Sequence, residues 1–232
     1  MRLTLNDDAT FSNYYPGVNL SVIKLLENFA VLQGESFIFL WGSVGVGRTH
    51  LLQACCHVNS QSAMYLDLAE PALQPEILTE LECFPIICLD NLDYLPLNPQ
   101  WELALFHFFN RVKEHASYLL ISAEQSPSSL FVQLPDLFSR LNGGLTLHLQ
   151  TLPDEQKIIA LQLRAKNRGL NLSEKVSKYI LSHYDRNMKD LLQALETLDC
   201  ETLRAKRRLT VPFVKKILED GTDLAKKITK VI

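Results

Sequence analysis

The chain's 232 residues, 47% hydrophobic and 21% charged, suffice for one large buried core or two small ones, which excludes a disordered chain. No apolar run approaches the roughly 20 residues that span a bilayer, which argues against an integral membrane protein. The net charge of −3 divides unevenly: residues 1–150 carry 6 basic and 15 acidic side chains, residues 151–218 carry 14 and 8, and the last 14 residues cancel, so no strong DNA-binding face is expected in the first part.

The opening residues up to Phe11 show neither a basic region ahead of an apolar one nor a small-residue cleavage site, so no secretory signal is expected and the cytoplasm is the expected compartment. Short apolar runs bounded by turn residues then recur at Ser36–Trp41, Ala63–Leu68, Pro85–Asp90, Tyr118–Ser122 and Leu145–Gln150, and predict five strands. Helical periodicity between them, over Thr49–Val58 and Gln100–His115, implies βαβ units around a parallel sheet. The runs FIFLW, IICLD and LLIS are apolar on both faces, as strands covered by helices on each side should be. Residues 1–150 thus read as a three-layer α/β domain. The stripe Trp101, Leu105, Phe106, Phe108 and Phe109 reads as core packing.

From Pro153 onward only helices are predicted, at Asp154–Arg168, Ser173–Tyr184, Asn187–Lys206 and Val211–Leu218. Pro153, Ser173, Asn187 and Thr210 stand at or beside their starts, and Gly169 suits a left-handed close to the first. Residues 151–218 read as a small all-helical domain and residues 219–232 as a tail. The five cysteines, Cys55, Cys56, Cys83, Cys88 and Cys200, are an odd number without a C-x-x-C pair and are expected to be buried thiols.

Three features carry chemistry. Gly42-Ser43-Val44-Gly45-Val46-Gly47-Arg48-Thr49 lies between a strand and a helix and fits the phosphate-binding loop pattern, with Arg48 where Lys is expected. Gly42, Gly45, Val46, Gly47 and Arg48 would cradle phosphates, Thr49 would ligate Mg²⁺, and His50 follows directly. Arg48 keeps the charge but exchanges a compact ammonium for a planar fork, so phosphate binding is expected and efficient hydrolysis is not. Asp90, at the end of the strand IICLD, is the second candidate for Mg²⁺; alone it would equally read as a turn or a helix cap. Asn91 follows it where an acid would orient an attacking water. Third, Ser122, which ends the strand YLLIS, and Glu124 just beyond it could face a γ-phosphate if that strand lies between the other two; a plain turn is the alternative reading.

These motifs in this order, with a helical segment behind them, resemble the AAA+ ATPase superfamily. The stretches Asp8-Ala9-Thr10-Phe11-Ser12-Asn13-Tyr14-Tyr15-Pro16-Gly17, Leu134-Pro135-Asp136-Leu137-Phe138-Ser139-Arg140-Leu141 and Leu209-Thr210-Val211-Pro212-Phe213-Val214-Lys215 look like the bacterial DnaA family, and over residues 6–218 the chain is most similar to its short Hda branch, where Arg also replaces the P-loop Lys. The resemblance implies an AAA+ fold with a five-stranded parallel sheet followed by a helical lid, and ADP or ATP with Mg²⁺ as ligands. It implies that Tyr15, Pro16 and Gly17 wrap the adenine, that Lys189 is the lid's basic nucleotide sensor, with Arg186 as the alternative in another register, and that Arg140 is an arginine finger acting in trans.

The partners implied are ATP-bound DnaA and, by analogy, the DNA-loaded sliding clamp, with self-association left open. The branch docks on the clamp through a segment of the type Gln-Leu-x-Leu-Pro, whereas this chain begins Met1-Arg2-Leu3-Thr4-Leu5-Asn6. The chain also ends where the initiator would begin its helix-turn-helix DNA-binding domain. The expected function is a regulatory protein that stimulates hydrolysis of DnaA-bound ATP and limits re-initiation of replication; the rival reading is an autonomous ATPase that loads a helicase or remodels DNA. Arg204, Lys206, Arg207 and Arg208 read as a solvated helix end or as a DNA contact near a clamp.

Overall fold

Five parallel strands lie in the order β2-β3-β4-β1-β5, with β1 at Phe37–Trp41, β2 at Ala63–Asp67, β3 at Ile86–Asp90, β4 at Tyr118–Ala123 and β5 at Leu145–His148. This computed structural model describes residues 9–217 apart from residues 61, 96, 97, 185 and 206. The N-terminal residues 1–8, Lys206 and the tail 219–232, on which the clamp motif, part of the basic cluster and the tail depend, lie outside the described residues. Residue contacts divide the chain into two units, Met1–Thr151 and Leu152–Ile232.

In the first unit, each strand's alternate residues serve opposite faces. Ile38, Leu40, Ile86, Cys88 and Leu120 face a layer made by α1 (Leu20–Ala30) and α2 (Arg48–Val58), packing on Leu26, Phe29, Leu51, Leu52 and Cys55. Phe39, Ile87, Leu89, Leu119 and Ile121 face α3 (Pro99–Glu114) and α4 (Pro135–Asn142), packing on Leu105, Phe108, Leu137 and Leu141. The expected three layers are therefore present, with both faces of the central strands covered. Trp101, Leu105, Phe108 and Phe109 are core, and Phe106 is half-buried against it.

α1 is not among the elements expected from the sequence. Its buried residues Val22, Ile23, Leu26, Phe29 and Ala30 follow a helical stripe, but exposed Leu20 and Leu25 blur the opposite face. Asn98 starts α3 by accepting hydrogen bonds from the backbone N–H groups of Gln100 and Trp101. Cys55, Cys56 and Cys88 are buried, and burial pushes the Cys55 and Cys88 thiols well above their usual range; Cys83 and Cys200 are exposed, which corrects the expectation for those two. Cys83 falls in a short 3₁₀ turn, and Cys200 lies on the solvent side of its helix.

The second unit holds α5 (Asp154–Asn167), α6 (Glu174–His183), α7 (Met188–Ala205) and helical residues 211–217 around Leu161, Ile180, Leu191, Leu195, Leu198 and Val214. Gly169, at φ +74°, ends α5 as the sequence suggests, while Leu170 N–H bonds Ala165 O at 2.8 Å. Ser173 caps α6 through Val176 N–H, and Asn187 caps α7 through Asp190 N–H. Among the described residues no helix is long and apolar enough to cross a membrane.

Candidate functional site

The phosphate-loop residues link the C-terminal end of β1 to the first turn of α2, where a helix leaves N–H groups without intrahelical acceptors. Gly45 and Gly47 take φ of +83° and +99°, the left-handed turns that a side-chain-bearing residue resists. Tyr14 closes over this loop: its ring lies where a Cβ on Gly47 would stand, 2.6 Å from Cε2, and its hydroxyl donates to Val46 O at 2.9 Å. Burial pushes the Tyr14 phenol up to about 12. His50 faces Tyr14 with ring centroids 5.6 Å apart, and its Nε2 lies 2.8 Å from Thr10 O, so it fastens the N-terminal segment to the loop.

That segment brings in the half-buried Tyr15, Pro16 and Gly17, the last at φ +48°. Asn19 anchors it by a reciprocal pair, Nδ2 donating to Gln150 O at 2.9 Å and Oδ1 accepting from Gln150 N–H at 2.8 Å.

Arg48 is 7% exposed, and its guanidinium stands 3.9 Å from Asp93 Oδ1 and 3.7 Å from Glu124 Oε1. Both separations exceed a hydrogen bond, and Nη1 is buried without a hydrogen-bond partner. An unsatisfied cationic donor beside a loop that opens a helix suits an oxyanion such as a phosphate. Asp93 is itself fixed, accepting from Glu124 N–H at 3.0 Å.

Asp90 is fully buried. Tyr65 donates to its Oδ2 at 2.9 Å and Ser122 donates to its Oδ1. The Asp90 charge and burial together hold the Tyr65 phenol well above its usual range, with burial the larger cause. Strand β4 does lie between β1 and β3, yet Ser122 is fully buried behind Asp90, so it supports that carboxylate instead of facing a phosphate. Asn91, at φ +60°, points its amide to Asp67 Oδ1. Thr49 is exposed on the first turn of α2. The hydroxyl of Thr49 and the carboxylate of Asp90 are hard oxygen donors of the type Mg²⁺ takes, few enough to leave its remaining positions to water and phosphate. Among the described residues no group of three or more His, Cys, Asp and Glu side chains could hold a metal without such help.

Arg140 occupies the last turn of α4, half-buried, with Nη2 donating to Asn110 Oδ1 of α3 at 3.0 Å. In the second unit, Lys189 is exposed in the first turn of α7, and Arg186 reaches Asp154 at 3.2 Å, an acid that also holds the buried Lys157. Arg204 bonds Glu201, and Arg207 and Arg208 are exposed.

The structure thus gathers the loop 42–49, His50 and Asp90 at one edge of the sheet, and adds Tyr14, Tyr65, Asp67 and Asp93, which sequence reasoning did not single out. Asp93 stands three residues beyond Asp90, and Asp67 ends its own strand as Asp90 does, which were the available signals.

The family described as "Hda, lid domain" matches residues 154–218. An uncharacterized protein of Haemophilus influenzae is 42% identical over 217 residues, covering 91% of this chain and 94% of its own length. Domain III of the Thermotoga maritima replication initiation protein DnaA is similar in structure, with a TM-score of 0.79 at 23% identity over 94% of this chain and 98% of that one. AMPPCP-bound DnaA from Aquifex aeolicus gives a TM-score of 0.67 at 22% identity over 83% of this chain and 65% of that one. At these identities the structural likeness concerns the fold, which is that of the AAA+ proteins: a five-stranded parallel sheet of order 2-3-4-1-5 followed by a helical lid.

Proposed function

The chain belongs to the Hda family of AAA+ proteins related to DnaA, and on that premise we propose that it binds ADP or ATP and stimulates hydrolysis of ATP bound to DnaA, so limiting re-initiation of replication. The observation that carries this reading is the contrast between two arginines. Arg48 is buried between two carboxylates in the chain's own cradle, whereas Arg140 is held by a neutral amide on another face of the unit. An arginine that acts on a partner's nucleotide needs its charge unspent.

In this reading Gly42, Gly45, Val46, Gly47 and Arg48 hold the phosphates of the chain's own nucleotide, Tyr15, Pro16 and Gly17 border the base, His50 steadies that border, and Lys189 of the lid senses the phosphates. Mg²⁺ at Thr49 and Asp90 would neutralise phosphate charge when bound. Asn91, its side-chain amide tied to Asp67, stands where an acid following Asp90 would orient an attacking water, so in this reading the chain's own turnover is negligible, against the reading as an autonomous helicase loader or DNA remodeller. In DnaA, water attacks the γ-phosphorus of ATP as its bond to the bridging oxygen breaks. Arg140 donates N–H groups to the phosphoryl oxygens that gather charge. The DNA-loaded sliding clamp is proposed as the platform on which the two proteins meet.

Single-turnover hydrolysis of ATP preloaded on DnaA tests the proposal. Arg140→Ala is expected to keep its ADP binding and lose the stimulation, which for a finger is typically a factor of about 10³ to 10⁵. Lys189→Ala is expected to change nucleotide binding in this chain and to affect DnaA only indirectly. Stimulation by Arg140→Ala equal to wild type refutes the trans mechanism.

A further inference from the structure

The geometry points to Asn110 as the positioning residue of the finger: its neutral amide oxygen aims the Arg140 guanidinium from α3 without neutralising it. This rests on the reading above that Arg140 acts on a partner's nucleotide, and it assigns a role to a residue outside the phosphate loop and the lid.

Helix α4 is mounted on α3 at both ends. At its start, Glu102, 3% exposed, accepts from Gln133 N–H at 2.9 Å and from Leu134 N–H at 2.6 Å, using both carboxylate oxygens on the backbone that opens α4. Between the ends, Leu137 and Leu141 are fully buried in the core. Eight residues beyond Glu102, or a little over two turns of α3, stands Asn110, which meets Arg140 at 3.0 Å. The backbone mount fixes where the Cα of Arg140 lies, but a long side chain with several rotatable bonds still needs a partner to fix its fork.

The chemistry of that partner matters. Asn110 Oδ1 is an uncharged acceptor on one Nη2 proton, so the other guanidinium donors and the whole positive charge stay available to an incoming phosphate. A carboxylate in the same place would hold the fork more tightly and compete with the phosphoryl oxygens. Five other arginines of the described residues, Arg48, Arg111, Arg168, Arg186 and Arg204, stand beside carboxylates, whereas Arg140 meets a neutral amide.

Asn110→Ala, Asn110→Asp and Arg140→Ala are compared with wild type in single-turnover hydrolysis of ATP preloaded on DnaA, titrated to saturation, with Tm and ADP binding of each variant measured in parallel. Asn110→Ala is expected to lower the rate constant at saturation about tenfold, as misaligned catalytic groups do, with the half-saturating concentration unchanged. Asn110→Asp, nearly isosteric and still able to accept the bond, is expected to lower it at least as much, with Tm equal to or above wild type. A merely structural role for Asn110 would leave the aspartate variant at the wild-type rate, and that result overturns the proposal. A loss seen only as a higher half-saturating concentration also overturns it, since it assigns Asn110 to docking. If both Asn110 variants match wild type while Arg140→Ala is inactive, the positioning role fails and the finger stands; if Arg140→Ala matches wild type, the finger itself fails.

Discussion

Asn91 donates through Nδ2 to Asp67 Oδ1 at 2.9 Å, joining the ends of the neighbouring strands β3 and β2. The same oxygen accepts from Ala69 N–H, and the backbone N–H of Asn91 donates to Ser122 Oγ, so Asn91 is held through both its side chain and its backbone. Asn91→Asp would replace a donor by a second carboxylate facing Asp67. We expect no gain of ATP turnover and a loss of about 1–3 kcal/mol, with recovery when Asp67→Asn restores a donor. Thermal melts and steady-state ATPase of the single and double variants check it; brisk turnover with an unshifted Tm would refute it.

Arg48→Ala leaves Asp93 and Glu124 unopposed beside the loop. ADP affinity is expected to fall at least tenfold, about 1.4 kcal/mol, because a cationic donor is lost and two carboxylates then repel the phosphates. Adding Glu124→Gln to that variant is expected to recover part of the loss. Calorimetric titration with ADP reads both effects, and unchanged affinity in Arg48→Ala would remove the loop from nucleotide binding.

Gly47→Ala meets two obstacles at once, a φ of +99° and Tyr14 Cε2 at 2.6 Å from the new Cβ. The expected result is a loss of roughly 1–3 kcal/mol in stability together with weaker ADP binding, since the ring must leave its place over the loop. Adding Tyr14→Ala frees the space but not the dihedral, so only part of the Tm should return.

Tyr14 also predicts a pH dependence. Its phenol titrates at about 12 in the folded chain against 10.0 in the open one, because burial disfavours the phenolate. The folded state therefore keeps the proton longer, and the associated stability, on the order of 2–3 kcal/mol, is complete below pH 10 and drains away as pH climbs toward 12. Tyr14→Phe should flatten that decline. Chemical denaturation of both proteins between pH 9 and 12 provides the comparison, with parallel curves counting against it.

The five strands are legible in the sequence because each is a short apolar run between turn residues, and the parallel arrangement follows from the helices between them. The contacts around Asp90 are not legible. Tyr65 and Ser122 lie 25 and 32 positions away and meet it only because the sheet places β2 on one side of β3 and β4 on the other. Ser122 shows the cost of reading a strand end alone: a hydroxyl at the right edge of the sheet turned inward to a carboxylate. The pairing of Arg48 with Asp93 and Glu124 depends on the same strand order and on where two loops fold back, which no local pattern encodes. Asn110, toward the C-terminal end of an amphipathic helix, looks like any polar residue flanking a buried stripe until α4 is laid beside it.

Strand β1, which carries the phosphate loop, pairs only with β4 and β5, so Phe37 finds Leu119 and Ile38 finds Leu145. A growing chain released before Tyr118 would hold β1 with neither neighbour, while β2 and β3 could already pair with each other. The loop that reads first in the sequence is thus among the last parts to gain its support. Until the ribosome has delivered residues up to Ala123, both edges of β1 stay open to pairing with other chains, and the β5 edge stays open until His148 has followed, so synthesis of this protein passes through a window in which its most apolar strand needs shielding.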